Sequence, residues 1–481
     1  MLAAALLQLG FAELHGDVSW LLIVADRVLN GETLYRDVYE INPPLSVALY
    51  LPWMGLEHLT GIRAEVFTTL AVFAVLAVSM MLVLGILRRT AWLDGSVRPA
   101  LFTVAALLFF APTSVFAQRE HWGMIAFLPC LTLIAARAVR GPRLEMPLGL
   151  VIASGVLGAA IVCLKPYYVL AILLPVLISA ARHRSLRILF AVENLAAAAV
   201  VVAYGLIVWK FFPAYAENVL PIALDLYGTN WTDAGRASLE GLKVTGFAFA
   251  AVAVICWRTR FDPVVTSGFA ASTGFLAVFL AQGKGWDYHL LPVVVTVGLT
   301  LAIAWRQAPR RDGALGIGRI LALCACVSFA QWSADRIRNG TQYVFELASL
   351  DNLPPDATLL TFTQHLKLVH PAARHIRARW IARDGSDWIA GLALKGLRTL
   401  PEGAPQAKTL RRRLAEVIDQ KAAELATKPD LVVTVPEDDA AAAFLADPRI
   451  AAAMRDYRHV MTIGPVIYHM RVDRALNHPS R

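Results

Sequence analysis

The sequence predicts a polytopic α-helical membrane protein of about eleven transmembrane helices with a small C-terminal α/β extracytoplasmic domain. Three observations carry this. The chain is 57% hydrophobic and only 17% charged, with a mean hydropathy of +0.55, against about 25% charged for a soluble globular protein. Long runs such as Val66–Leu87, Ile188–Trp209 and Ala314–Ala330 are nearly free of charge; the second holds only Glu193 and the third only Arg319. Beyond Gln331 the composition changes to that of an ordinary charged domain.

The topology follows from the charge. Basic clusters fall at Arg88-Arg89, Arg137 to Arg143, Arg182 to Arg187, Arg258 to Arg260 and Arg306 to Arg311. Two apolar runs and one mixed turn separate each consecutive pair, so all five clusters share one side, the cytoplasmic one, if each interval crosses twice. The helices are then 1–14, 64–87, 98–113, 120–136, 147–164, 166–181, 188–210, 241–257, 262–282, 287–305 and 314–331. Pro43–Leu59 is apolar too, but a span there would reverse every later cluster. It is short and carries Pro43, Pro44 and Pro52, so it reads as a juxtamembrane or re-entrant helix. Met1–Leu14 is apolar, lacks a basic flank and is short for a span. It suggests a truncated or misassigned start, with the first helix beginning earlier.

Residues 1–331 therefore form the membrane domain, and 332–481 a soluble domain on the outer, periplasmic face. That tail has strand-like runs at Ala357–Thr363 and Leu431–Val435, a helical run at Thr409–Ala426, and a strand or two in Val460–Arg471. About 150 residues is a normal domain size. His365, His370 and His375 lack HExxH spacing and read as surface or packing residues. The five cysteines all sit in or beside apolar runs and read as small buried apolar residues, with no disulfide or zinc framework. The net charge of +9 lies in short inter-helix loops and the tail, which argues for membrane lipids and against nucleic acid as its partner.

The outer face holds the informative polar residues. The first outer loop reads His15-Gly16-Asp17-Val18-Ser19-Trp20, then an amphipathic stretch to Asn30-Gly31, then Tyr35-Arg36-Asp37-Val38-Tyr39-Glu40-Ile41-Asn42-Pro43-Pro44-Leu45. Asp17 stands where an apolar run leaves the membrane, as an interfacial charge or as an acid/base. Gln118-Arg119-Glu120-His121 precedes the next apolar run, with Phe127 seven residues after Glu120. Lys165, in Leu164-Lys165-Pro166-Tyr167-Tyr168, lies at a helix junction near membrane depth; it either snorkels to the interface or serves a site. Gln282-Gly283-Lys284-Gly285-Trp286-Asp287-Tyr288-His289 ends in Leu290-Leu291-Pro292. The two glycines permit close backbone approach to a ligand, and the aromatics stack on a sugar or mark the interface. Asp225-Leu226-Tyr227 and Trp231-Thr232-Asp233 lie in the longest inter-helix loop, where they either shape an acceptor site or are simply solvated.

An Asp just past the first helix, a helix ending in Gly, then Tyr-x-Asp and Asn-Pro-Pro-Leu resembles the first outer loop of the GT-C glycosyltransferases, in particular the protein O-mannosyltransferases and the lipid A aminoarabinose transferases. The likeness covers the helix layout over about 330 residues; its sharp motifs lie in 17–45, with echoes at 118–127 and 282–292. It implies a transferase that moves a hexosyl or pentosyl group from a polyprenyl-phosphate donor to an acceptor hydroxyl on a glycan, lipid or protein, with inversion. Asp17 takes the family's general-base position, since an alcohol needs a positioned carboxylate to attack at neutral pH. The family usually has Asp-Glu where this chain has Asp17-Val18. Glu120 takes the position of a second acid that is usually Asp. Arg119, Lys165 and Lys284 are then the cations that meet the lipid phosphate as it leaves. Asp37, Glu40, Tyr167, Asp287, Tyr288 and His289 join them as substrate-binding residues. No cofactor or metal is implied beyond the lipid-linked donor, and the setting is a bacterial inner membrane. A transporter or flippase of lipid-linked glycans would carry paired broken helices and internal repeats. A glycan polymerase or ligase would carry a long late outer loop with Arg and His.

Overall fold

The computed structural model describes residues 16–90, 108, 115–227, 234–307, 315–347, 350, 353–354, 356–401 and 403–474. Its helices begin with α1 Gly16–Leu29, α2 Leu45–Ala48, α3 Leu51–Thr60, α4 Ala64–Thr90, α5 Arg119–Arg140, α6 Leu148–Leu164 and α7 Leu170–Arg182. They continue as α8 Val192–Phe211, α9 Leu220–Tyr227, α10 Ala234–Arg258, α11 Pro263–Gln282, α12 Asp287–Gln307 and α13 Leu315–Leu347. The tail holds β1 Thr358–Phe362, α14 Leu366–His375, β2 Arg379–Trp380, α15 Trp388–Thr399, α16 Pro405–Ala426, β3 Leu431–Thr434, α17 Asp439–Leu445, α18 Pro448–Ala453, β4 Tyr457–Ile463 and β5 Val466–Arg471.

Seven described helices are long and apolar enough to cross a membrane: Ala64–Thr90, Arg119–Arg143, Val192–Phe211, Ser238–Arg258, Pro263–Gln282, Asp287–Arg306 and Gly316–Asp335. Leu148–Leu164 and Pro166–Arg182 are shorter apolar helices at two further predicted positions. The predicted spans 1–14 and 98–113 fall outside the described residues, Leu108 apart, so the count of eleven is not established. Pro43–Leu59 forms no span. It breaks into α2 and α3, and the ten residues of α3 rise only about 15 Å. The predicted boundary at 331/332 falls inside α13, which runs unbroken to Leu347. The change in composition marks where the apolar surface ends, and the helix continues past it.

The chain divides into two compact units. The first takes in Val66–Ile207 and Thr232–Asn339. Its central helix is α5, buried at nearly every position. Small residues let neighbouring helices close on it. A Cβ at Gly158 of α6 would lie 2.5 Å from the Cβ of Cys130, and one at Gly274 of α11 would lie 2.8 Å from the Ala171 backbone. Such close backbone contact replaces the hydrophobic drive that lipid does not supply between helices. Outer helices instead expose Val202 and Leu206 on α8, and Ile317, Ile320, Leu323 and Val327 on α13. Cys130, Cys163 and Cys256 are buried as the sequence implied, but Cys324 is half-buried and Cys326 exposed on α13; all are free thiols. Within this unit Arg137 forms a buried ion pair with Glu193, its Nη2 donating to Oε2 over 3.0 Å. Arg137, which reads as part of a loop cluster, is thus the counter-ion of the one acid in the α8 run.

The second unit takes in Phe11–Glu65, Val208–Trp231 and Gly340–Arg481. The tail is α/β, as predicted, with a five-stranded sheet in the order β2-β1-β3-β5-β4. β1 runs parallel to β2 and β3, while β3–β5 and β5–β4 are antiparallel. The run Val460–Arg471 resolves into the β4–β5 hairpin, turning at Gly464 with φ +53°. The first-loop segment belongs to this same unit. α1 packs on α14, and Tyr39 N donates to Arg383 O over 2.8 Å. Arg374 closes the seam: Nε and Nη2 donate to both oxygens of Glu65 at 2.9 and 3.1 Å, and Nη2 also reaches Glu57. Both acids hold the buried Arg374 guanidinium above its ordinary pKa.

Candidate active site: a buried cation between a carboxylate and an imidazole

Three sequence segments converge in the first unit. Glu120 sits in the first turn of α5, where a helix N-terminus favours negative charge. Lys165 occupies the single extended residue between α6 and a 3₁₀ turn, Pro166–Val169. Pro166 cannot continue the α6 ladder, so the chain breaks there and the lysine turns inward. His289 lies in the first turn of α12.

The Lys165 ammonium pairs with Glu120 Oε1 and donates a hydrogen bond to His289 Nε2 over 2.7 Å. Glu120 is 1% exposed, His289 3% and Lys165 6%. An ammonium has donors only, so Nε2 accepts and the His289 ring proton sits on Nδ1. That Nδ1 is buried and has no hydrogen-bond partner among the described residues. Tyr288 places its ring 5.3 Å beneath the Lys165 ammonium and packs edge-on to His289 at 4.6 Å.

Lys284 stands in the loop between α11 and α12, with Gly283 and Gly285 at φ +58° and +65° on either side. These left-handed conformations suit glycine and let the backbone fold around the lysine. Its ammonium lies over the Trp286 ring at 4.7 Å. Burial first, then the positive charges of Lys165 and Arg119, push its pKa down to about 7, against the opposing pull of Glu120. Arg119 is buried beside this group. Tyr167 is half-exposed and donates from its hydroxyl to Gln282 Oε1 over 3.1 Å. Asp287 opens α12. Of the predicted residues, then, Arg119, Glu120, Lys165, Lys284, Tyr288 and His289 share one electrostatic neighbourhood. Its formal charge is positive, and it suits an anion.

The remaining candidates belong to the second unit. Asp17 is in the first turn of α1 and is buried. Glu40 is 3% exposed; Oε2 accepts from Trp20 Nε1 at 2.7 Å and Oε1 from the Asn42 backbone at 3.0 Å. Asp37 is exposed and closes a turn by accepting from Thr33 N at 2.7 Å. Both carboxylates thus shape the loop. Asp225, in α9, accepts from Arg413 Nη2 at 2.8 Å. Trp231, Thr232 and Asp233 lie outside the described residues. Trp20, which the first-loop motif contains without a role, stacks on His370, which reads from the sequence as a surface or packing residue, with ring centroids 5.1 Å apart. Tyr168, likewise given no role by the sequence, is buried one residue beyond Tyr167. Among the described residues no group of three or more His, Cys, Asp or Glu is placed to hold a metal ion.

No protein-family model and no curated protein matches the sequence. Solved structures do. The crystal structure of ArnT from Cupriavidus metallidurans bound to undecaprenyl phosphate superposes with a TM-score of 0.56 at 13% identity, over 98% of this chain and 96% of that one. The apo state of ArnT from the same organism gives a TM-score of 0.49 at 11% identity, over 97% and 96%. The chain therefore has the fold of ArnT, with seven described helices long and apolar enough to cross a membrane.

Proposed function

We propose that the protein is a membrane glycosyltransferase that takes a sugar from a polyprenyl-phosphate donor and passes it to an acceptor hydroxyl at the outer face of a bacterial inner membrane. The observation that carries this reading is the buried Lys165 held between Glu120 and His289, with Lys284 and Arg119 beside it. A cation at that depth is costly unless it serves an anion or a pathway. The ArnT whose fold the chain shares was crystallised with undecaprenyl phosphate, a ligand with one phosphate on a long apolar chain, and the same chemistry suits this cluster.

In this reading the leaving group is a lipid phosphate. Charge grows on its oxygens as the glycosidic bond breaks, and fixed cations in a dry setting stabilise that charge with little reorganisation. Lys284 and Arg119 meet the phosphate. Lys165 adds its field from a position that Glu120 and His289 lock. Glu120 thus acts as the orienter of Lys165, in contrast to the catalytic-acid role that the sequence resemblance gives it. His289 Nδ1–H is a further donor available to an oxygen. Tyr167, Tyr288 and Asp287 are the remaining substrate-binding residues of this reading. The base that deprotonates the acceptor is Asp17, on the strength of the loop motif.

The test is direct. Purified protein in nanodiscs is given, in turn, a panel of undecaprenyl-phosphate-linked hexoses and pentoses with an extract of bacterial envelope lipids and glycans. Release of undecaprenyl phosphate is measured. The expected result is turnover of at least one donor, abolished by Asp17→Asn in protein that still folds. Absence of release from every donor, together with transport of an intact lipid-linked glycan across the bilayer, would replace this reading with that of a flippase.

A further inference from the structure

The chain turns sharply ahead of α5, just before it delivers Arg119 and Glu120. Ala117 takes a left-handed backbone conformation, φ +60°, which a residue with a Cβ seldom adopts. Gln118 is the extended N-cap of α5 and contributes no side-chain cap. His121 supports the turn instead. Its imidazole is fully buried, and both ring nitrogens are bonded to backbone. Nδ1 accepts from the Ala117 N–H at 3.1 Å. The ring proton is therefore on Nε2, which donates to the Leu108 carbonyl at 2.8 Å. The ring also packs on Phe116 with centroids 5.1 Å apart, and Phe116 packs in turn on Phe73 of α4 at 5.7 Å.

His121 is the third residue of α5, and its side chain reaches back past the N-cap. A capping box uses the same position for its returning bond. The two residues enclosed by this return are Arg119 and Glu120. Gly123 then lets the same stretch of α5 close on α6, since a Cβ there would lie 2.9 Å from Ile161 Cγ1. The Ile161 carbonyl accepts from the Lys165 N–H at 3.1 Å. The start of α5 is thus held against the end of α6 that presents Lys165. A phenylalanine at 121 could fill the slot, but it could neither accept from Ala117 nor donate to Leu108. With both nitrogens committed, the ring has no lone pair or proton left for a substrate.

We propose that His121 is a positioning residue for Arg119 and Glu120: its two backbone bonds hold the turn that sets Glu120 on Lys165 and Arg119 toward the donor's phosphate. The phosphate part rests on the function proposed above; the placing of Glu120 on Lys165 does not.

Two measurements on the full chain in nanodiscs test it. The first compares unfolding midpoints of Lys165→Met with and without Glu120→Gln. With His121 in place, the second change is expected to offset part of the loss caused by the first. In His121→Phe that offset is expected to shrink to less than half. A ring with only a packing role would lower all the midpoints together and leave the offset as it was. An offset unchanged in His121→Phe, or none with His121 present, overturns the proposal. Should His121→Phe not fold, His121→Gln takes its place, since it keeps a donor for Leu108 and lacks the acceptor for Ala117. The second measurement is equilibrium binding of undecaprenyl phosphate. Affinity is expected to weaken about tenfold in His121→Phe and to stay within about threefold of wild type in His121→Asn, whose amide oxygen stands near the Nδ1 position. Equal weakening in the two variants, or wild-type affinity in His121→Phe, overturns the proposal. Absence of binding by the wild-type protein overturns the proposed function instead, and the midpoints then decide the role of His121 alone.

Discussion

Lys165 and His289 lie 124 residues apart in sequence, and the ammonium of one donates to Nε2 of the other over 2.7 Å in the buried interior of the helical unit. Glu120 completes the arrangement: its Oε1 pairs with the same ammonium and lies 3.9 Å from His289 Nε2. Removing the lysine strands a buried carboxylate. Lys165→Met is expected to destabilise the protein by about 3–5 kcal/mol. Adding Glu120→Gln is expected to return much of that loss, because the orphaned charge goes with it. Thermal unfolding of the two single variants and the double variant in detergent measures the coupling. Additive losses would show that the two side chains do not act as a pair.

The pH dependence of anion binding follows from Lys284. Its pKa is lowered to about 7, so the ammonium is mostly protonated at pH 6 and mostly neutral at pH 8. Affinity for undecaprenyl phosphate is therefore expected to fall as pH rises through 7. Lys284→Arg keeps its charge over this range and is expected to flatten the profile between pH 6 and 8. Equilibrium binding at a series of pH values checks both; a profile unchanged by the arginine would assign the titration elsewhere.

Gly385 is expected to be intolerant of any side chain. A Cβ there meets Cδ2 of the Trp20 indole at 2.8 Å and Cε2 at 2.6 Å, and the indole is itself tied to Glu40. Gly385→Ala should cost about 1–3 kcal/mol through this overlap. The same substitution in a Trp20→Leu background should cost less, since the smaller side chain leaves room. Unfolding midpoints of the four proteins decide it.

Much of this architecture was legible because membrane crossing leaves few options. A long apolar run such as Val66–Leu87 has no soluble alternative of comparable economy, and α4 covers it. The prolines in 43–59 likewise foretold the broken α2–α3 segment. What the sequence hid was long-range pairing. Glu57 and Glu65 look like ordinary loop and helix-end charges, and their partner Arg374 lies more than 300 residues away. That one guanidinium joins the first loop to the tail in a single unit. The site shows the same division. Lys165 and Glu120 stand out as charges beside apolar runs, but nothing local says that they neutralise each other. Glu40 stands out in the Tyr-x-Asp motif region, yet its oxygens are occupied by Trp20 and Asn42. His370 has no motif at all, and only the packing of α14 on α1 gives it meaning.

The claim at the centre is that the buried cationic cluster of the helical unit receives a lipid phosphate. Calorimetric titration of the purified protein with undecaprenyl phosphate, and with undecaprenol as its uncharged counterpart, tests it most directly. The expected result is saturable binding of the phosphate at pH 6.5, at least about tenfold tighter than undecaprenol, and weakened about tenfold or more in Lys284→Met. Equal affinity for the two lipids, or an undiminished affinity in Lys284→Met, would contradict it.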